Sequence, residues 1–328
     1  MTKVTCSERR RELSTLTQRL SARLATTRRN RRPTRPKQVR VATVRQLLRD
    51  VLLVTSGRRP SCLVDCCALT KELAAVVLQF LHDEATASSQ RRWIDPRELR
   101  AVLLDDNVFF VHVTALVREK MLELATGLDA PVLVDVSAHL TRPELVSVSS
   151  AAGRAKATAL ASWTVSACRA LLESTSARCH VLEWQRPSNV TASAVAGRLL
   201  CYPFVYDTTP EDSTAVESDG WHAQDTCLGL CPLWLVQTAI TSPSDALDIV
   251  LQEFSVPQHL LDIAVDNEDD VCVQQTKETD LRLLSPRLNV LRAHWQRQLQ
   301  RRVAPSGDTT RNDVRVRLDR RTLHRVAL

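Results

Sequence analysis

The sequence predicts an α/β fold around a mixed sheet, parallel in its first half through βαβ units and antiparallel in its second, with helices on both faces. Two short apolar runs, each carrying one carboxylate near its end, open the case: Ser61-Cys62-Leu63-Val64-Asp65-Cys66-Cys67 and, seventy residues on, Pro131-Val132-Leu133-Val134-Asp135-Val136-Ser137. Further apolar runs at 108–113 and 178–184 alternate with stretches of helical period, a rhythm that implies right-handed crossovers and a largely parallel sheet. After Pro187 the rhythm changes. Runs at 199–207, 226–240 and 247–254 follow one another through turn-rich joins without a long helix between them, as in antiparallel hairpins.

Taken in order, residues 1–42 form an Arg-rich arm expected to be disordered. Leu13, Leu16, Leu20 and Leu24 mark an amphipathic helix within it, but the arm ends in a run at 28–37 whose two prolines and self-repelling charges argue against packing. A single domain is expected from 43 to 328. It begins with a helix carrying Val44, Leu47, Leu48, Val51 and Leu52 on one stripe, followed by strand 61–66. Thr70 is placed to cap a helix that carries Leu73, Val76, Val77, Phe80 and Leu81 on one face. Asp95-Pro96-Arg97-Glu98 has a helix-start pattern, so a helix is expected from there to Leu104, with a turn at Asp105-Asp106-Asn107 and a strand over 108–113. Helix 115–126 closes at Gly127, strand 131–136 follows, and a helix over 155–174 leads to strand 178–184. Beyond these come an acidic join at 208–224, a short helix after Pro257, a helix over 285–302 and an edge strand at 314–318 with arginines on its wet face.

Charge is segregated along the chain. Residues 1–49 carry 15 basic residues against Glu8 and Glu12, residues 292–328 carry 10 arginines against three aspartates, and the middle is acidic although the whole chain is +7. Such arms suit nucleic acid or an acidic partner, or they lie on the protein's own acidic body. Arginine outnumbers lysine 38 to 6, and the arms have few of the aromatic side chains on which single-stranded bases stack. Ten cysteines are too few for a disulfide scaffold, and the amino terminus has no apolar run that would serve as a signal peptide. Reduced thiols and an intracellular location, cytoplasmic or nuclear, are therefore expected, with no membrane span.

Seven glycines decide against the familiar phosphate cradles. Neither G-x-G-x-x-G nor G-x-x-x-x-G-K-[ST] occurs, so no cofactor is expected. Asp65 and Asp135 are the candidate catalytic residues, since carboxylates at the carboxyl ends of neighbouring parallel strands face the ligand crevice. There they would hold Mg²⁺ or work as an acid and base pair, with His112 and His139 beside them. The alternative is structural, each Asp capping a helix or accepting backbone amides at a strand end. Cys62, Cys66 and Cys67, like Cys227 and Cys231, are spaced by four rather than as a C-x₂-C knuckle, which favours core packing over a metal site. Cys66 with His112 and Asp135 has the residue types of a nucleophilic triad, but thiols in such apolar surroundings are usually inert.

Cys62-Leu63-Val64-Asp65, Tyr202-Pro203, Cys227-Leu228-Gly229-Leu230-Cys231-Pro232-Leu233, Phe254-Ser255-Val256-Pro257 and the closing Val326-Ala327-Leu328 together resemble uncharacterised protein family 0739, a domain of unknown function. The resemblance implies one evolutionary unit from about residue 43 to the end, and no activity, ligand or catalytic residue comes with it. The leading functional expectation is a non-enzymatic interaction or scaffold protein with an unidentified protein partner. Two others compete with it: a metal-assisted hydrolase or phosphotransfer enzyme using Asp65 and Asp135, and weak electrostatic contact with nucleic acid through residues 1–40.

Overall fold

The structure, a computed structural model, describes residues 6–29, 40–87, 96–126, 131–174, 181–208, 226–229, 231–241, 249–262 and 313–322. In chain order its elements are α1 (Cys6–Arg29), α2 (Val41–Thr55), β1 (Ser61–Leu63), α3 (Lys71–Ala87), β2 (Leu99–Leu104), β3 (Asn107–His112), α4 (Val113–Thr126) and β4 (Val132–Asp135). They continue as β5 (Glu144–Leu145), α5 (Ala151–Glu173), β6 (Val181–Trp184), α6 (Ala192–Leu199), β7 (Phe204–Asp207), β8 (Pro232–Thr241), β9 (Ile249–Pro257), α7 (Gln258–Asp262) and β10 (Asp313–Thr322). Helices combine with both parallel and antiparallel strand pairs, so the class is α/β. The chain divides into two compact units, residues 1–131 with 147–205 and residues 132–146 with 206–328, where the sequence suggested one domain.

The first unit holds a four-stranded sheet in the order β1-β3-β2-β6. Its strand directions correct the expectation of a parallel first half. β1 and β2 both run antiparallel to β3, and parallel pairing enters between β2 and β6, from Ala101 opposite Val181 to Leu104 opposite Trp184. The cause is β2, which occupies residues expected to be helical. The helix-start pattern yields only a 3₁₀ turn at Pro96–Glu98, after which Leu99–Leu104 extends and pairs with β3. Burial on both faces decides this, because a run apolar at every position but Arg100 gains more as an inner strand than as a helix with one wet side. Asp105 and Asp106, at φ 45° and 62°, form the two-residue turn, the left-handed pair that a tight hairpin needs. Arg186 Nε donates to Asp105 Oδ2 at 2.7 Å and holds the turn.

Alternation along these strands feeds two different environments. Cys62, Ala101, Val108 and Phe110 join the core formed with α1, α2 and α3. Their neighbours point the other way: Ser61 Oγ donates to the Leu199 carbonyl at 2.6 Å, at the end of α6, and the Arg100 guanidinium reaches Ser174 just past α5. Helices therefore cover both faces of this sheet. Thr70 accepts from the Leu73 amide at the start of α3, as its capping role requires. Trp163 of α5 packs edge-on against Trp184 of β6, with ring centroids 5.6 Å apart.

α1 corrects the expectation of disorder for residues 6–29. Leu16 and Leu20 are fully buried among α2 and α3, and the helix is fastened by ion pairs from Arg19 to Glu84 and Arg23 to Asp83 on α3. The 28–37 run lies almost wholly outside the described residues. The hydrogen bond from Arg23 holds the Asp83 carboxyl below the usual carboxylate range, so its contribution is complete above that range and fades as pH falls through the depressed value. Both partners are well exposed, which limits the effect to under about 1 kcal/mol. Asp83→Asn is expected to lower the melting temperature slightly at neutral pH, the gap to the wild type closing in acid. A gap that does not change with pH would show the pair contributes nothing.

In the second unit β4 pairs antiparallel with β5 in the sheet β5-β4-β7, and β8 pairs antiparallel with both β9 and β10 in the sheet β10-β8-β9. Strand 131–136 thus lies in a different sheet from β1, β3 and β6, and the antiparallel second half does not extend the first sheet. β10 is an edge strand with Arg315 and Arg317 exposed and Val316 buried, as its alternation predicts. α6 was not foreseen in the sequence. It starts where Thr191 accepts from the Ala194 amide at 3.3 Å.

Candidate functional site

The proposed pairing of Asp65 with Asp135 loses its shared sheet. Asp65 is exposed two residues past β1, while Asp135 ends β4 in the other unit. Asp50 on α2 lies within electrostatic reach of Asp65. Burial raises the Asp50 carboxyl above its usual range; Arg59, 3.4 Å away, and a 2.8 Å hydrogen bond from Gln46 pull it back. Asp135 accepts from the Ser137 amide at 2.9 Å and from the Ser137 hydroxyl, the strand-end role weighed for it. His139 is exposed in the loop beyond.

His112 ends β3 and caps α4, its Nδ1 accepting from the Ala115 amide at 3.2 Å. Its ring lies over Gly57, whose φ of +68° closes the turn after α2 and where a Cβ would come within 3.3 Å of Nε2. Glu98 supports the same helix start, accepting from the Thr114 amide and hydroxyl at 3.2 and 2.6 Å. The imidazole is thus engaged in local structure.

The thiols separate by environment. Cys62 is buried in β1, and burial pushes it up to about 12, which leaves it an inert core residue. Cys66 and Cys67 do not belong to a strand, since β1 ends at Leu63. They lie half-buried in the loop before α3, where their side chains hydrogen-bond each other, and this bond followed by burial raises the Cys66 thiol. Cys66 Sγ also points at the Thr43 carbonyl, 3.8 Å away. Among the described residues no group of three or more His, Cys, Asp and Glu side chains could hold a metal ion.

The strongest electrostatic feature of the first unit was not read from the sequence. α4, α5 and α6 enclose Lys120, Glu123, Lys156 and Arg198, each less than 10% exposed. Arg198 pairs with Glu123 Oε1 through Nη1 and donates from Nε to Thr164 Oγ1 at 3.0 Å, and Lys120 Nζ lies 3.4 Å from the other Glu123 oxygen. The Thr164 hydroxyl in turn donates a hydrogen bond to the Leu160 carbonyl at 2.7 Å. Cys168 adjoins the cluster, raised by burial and lowered in turn by Lys120 and Arg198. One carboxylate bridging two buried cations fixes three helices against one another. A signal was present. On α4 the charged residues Glu119, Lys120 and Glu123 share the inward stripe with Leu116, so the apolar residues of this helix form no single face.

Apolar side chains of the same two helices face solvent. Met121, Leu122 and Leu124 on α4, and Val165 and Leu172 on α5, are 38–52% exposed on two helices that pack together. Arg118, Arg154 and Arg169 are exposed on the same helices, with Glu173 the acidic exception on α5. No described helix is long and apolar enough to cross a membrane. No curated protein and no solved structure matches the chain. Residues 29–281 match a family described as a domain of unknown function (DUF4504), covering α2 through α7, and the chain belongs to that family.

Proposed function

We propose that this protein works by binding another protein and not by catalysis, and that the outer faces of α4 and α5 form its docking surface. The carrying observation is that these helices enclose Lys120, Glu123 and Lys156 while Met121, Leu122 and Leu172 face water. Burying one such side chain is worth about 2 kcal/mol. Two helices that enclose ionic side chains among their buried residues and leave Met121, Leu122 and Leu172 in water gain that energy only when something covers those three. The flanking arginines define the occupant as an amphipathic helix of a partner protein, its apolar stripe edged with Asp and Glu that would meet Arg118 and Arg169.

The test uses two labelled synthetic helices with leucines at i, i+3, i+4 and i+7, one edged with Glu and the other with Lys, titrated against the full chain by fluorescence anisotropy. The Glu-edged helix is expected to bind at least tenfold more tightly, and Met121→Lys with Leu172→Lys is expected to abolish binding while leaving the melting temperature within a few degrees. Equal affinity for both helices, or binding that survives the double substitution in a folded protein, would refute the proposal.

A further inference from the structure

We propose that α2 and α3 form a seat for a basic amphipathic helix, which α1 fills within its own chain and which a helix of another protein fills when α1 leaves. α1 packs against both α2 and α3 and turns one stripe toward them, with Leu16, Leu20 and Leu24 almost wholly buried. Beside that stripe Arg19 Nη2 lies 2.8 Å from Glu84 Oε1, and Arg23 Nη1 lies 2.5 Å from Asp83 Oδ2. The seat is therefore apolar with an acidic margin on α3. Leucines at i, i+4 and i+8 with arginines at i+3 and i+7 define the helix that it accepts. It is a different surface from the α4–α5 face and carries the opposite charge.

Two observations mark α1 as the occupant of this seat and not a founding part of the body. The Ser21 hydroxyl is buried without a hydrogen-bond partner among the described residues, so the joint is incompletely satisfied. The family match begins at residue 29, where α1 ends, and so takes in both helices of the seat but not the helix that fills it.

What keeps another helix out is the link. Residues 30–40 join α1 to α2, and a link this short holds α1 before its seat at an effective concentration of about a millimolar. A free helix of equal intrinsic affinity, at about 10 μM, then fills roughly one seat in a hundred, and cutting the link removes the advantage of α1.

The experiment uses the full chain with a site-specific protease sequence inserted after Thr34, cut or uncut, and a fluorescent peptide of residues 6–29 at that concentration, in excess over the chain. By fluorescence anisotropy the cut chain is expected to take the peptide into most of its seats, and the uncut chain into about one in a hundred. Arg19→Glu with Arg23→Glu in the peptide is expected to lower uptake about tenfold, because both margins are then anionic. The cut chain is expected to keep its cooperative melting transition after the exchange, and Met121→Lys with Leu172→Lys in the body should leave uptake unchanged. A cut chain that takes up no peptide, equal uptake by cut and uncut chains, uptake indifferent to the arginine reversal, or a body that unfolds as α1 departs would each overturn the proposal. Loss of uptake in the Met121 and Leu172 variant would do the same, since it would place the peptide on the α4–α5 face.

Discussion

Replacing Glu123 with Ala is expected to destabilise the first unit by about 3–5 kcal/mol, because the substitution strands two enclosed cations. Arg198 and Lys120 both use this carboxylate, and both are almost wholly removed from water. Thr164 offers Arg198 a hydroxyl but no charge. The effect should be read as a shift of the urea midpoint at unchanged slope. A companion variant separates loss of the ion from loss of volume: Glu123→Leu combined with Lys120→Met and Arg198→Met replaces the carboxylate and the two cations that contact it with apolar groups of similar size. It is expected to recover most of the lost stability, since such ionic centres contribute little beyond an apolar equivalent. If Glu123→Ala unfolds within about 1 kcal/mol of the wild type, the cations have other partners and the centre is not what holds α4, α5 and α6 together.

Gly153→Val should be comparably damaging, for a steric reason. Gly153 lies in the first turn of α5, where its amide donates to the capping Ser150 hydroxyl at 3.0 Å. A Cβ there would fall 2.2 Å from the Ser147 carbonyl oxygen and 2.9 Å from its carbon. Backbone cannot swing aside as a side chain can, so the segment 147–150 or the helix start must move. Even alanine, which would favour the helix by about 1 kcal/mol, is expected to lose more than it gains. We expect a loss of about 2 kcal/mol for Gly153→Ala and more for Gly153→Val, measured by thermal and urea melts. Unchanged melting of Gly153→Ala would show that the 147–150 turn yields freely.

Helices with one clean apolar stripe were legible in the sequence. α2, α3 and the leucine face of α1 follow the 3.6-residue period, and Thr70 announces its cap. Strand positions were legible too, because apolar runs as short as β1, β3, β4 and β6 suit little else. The partnering of those strands was not. Nothing local says that Val132–Asp135 joins β5 and β7 rather than β1, since an apolar run fits any buried layer. β2 was hidden by a cap pattern that held for only one 3₁₀ turn before burial overrode it. The aspartates raise the same point. Asp65 and Asp135 occupy equivalent places on similar-looking strands, and that likeness does not say which sheet each strand joins. The buried ions escaped because a lysine or arginine reads as surface unless the stripe it occupies is traced across three helices.

The Asp105-Asp106 turn acts as a ruler for the sheet beside it. With only two residues between β2 and β3, their pairing can be shifted only by breaking a left-handed pair that Arg186 also tethers. A slip of a single residue would drive Arg100 into the leucine-lined side and send Ala101 toward the polar one, inverting the order on which both helical layers close. The hairpin therefore sets which side of the sheet each helix meets, and a chain that closed it incorrectly would have no compact state to settle into.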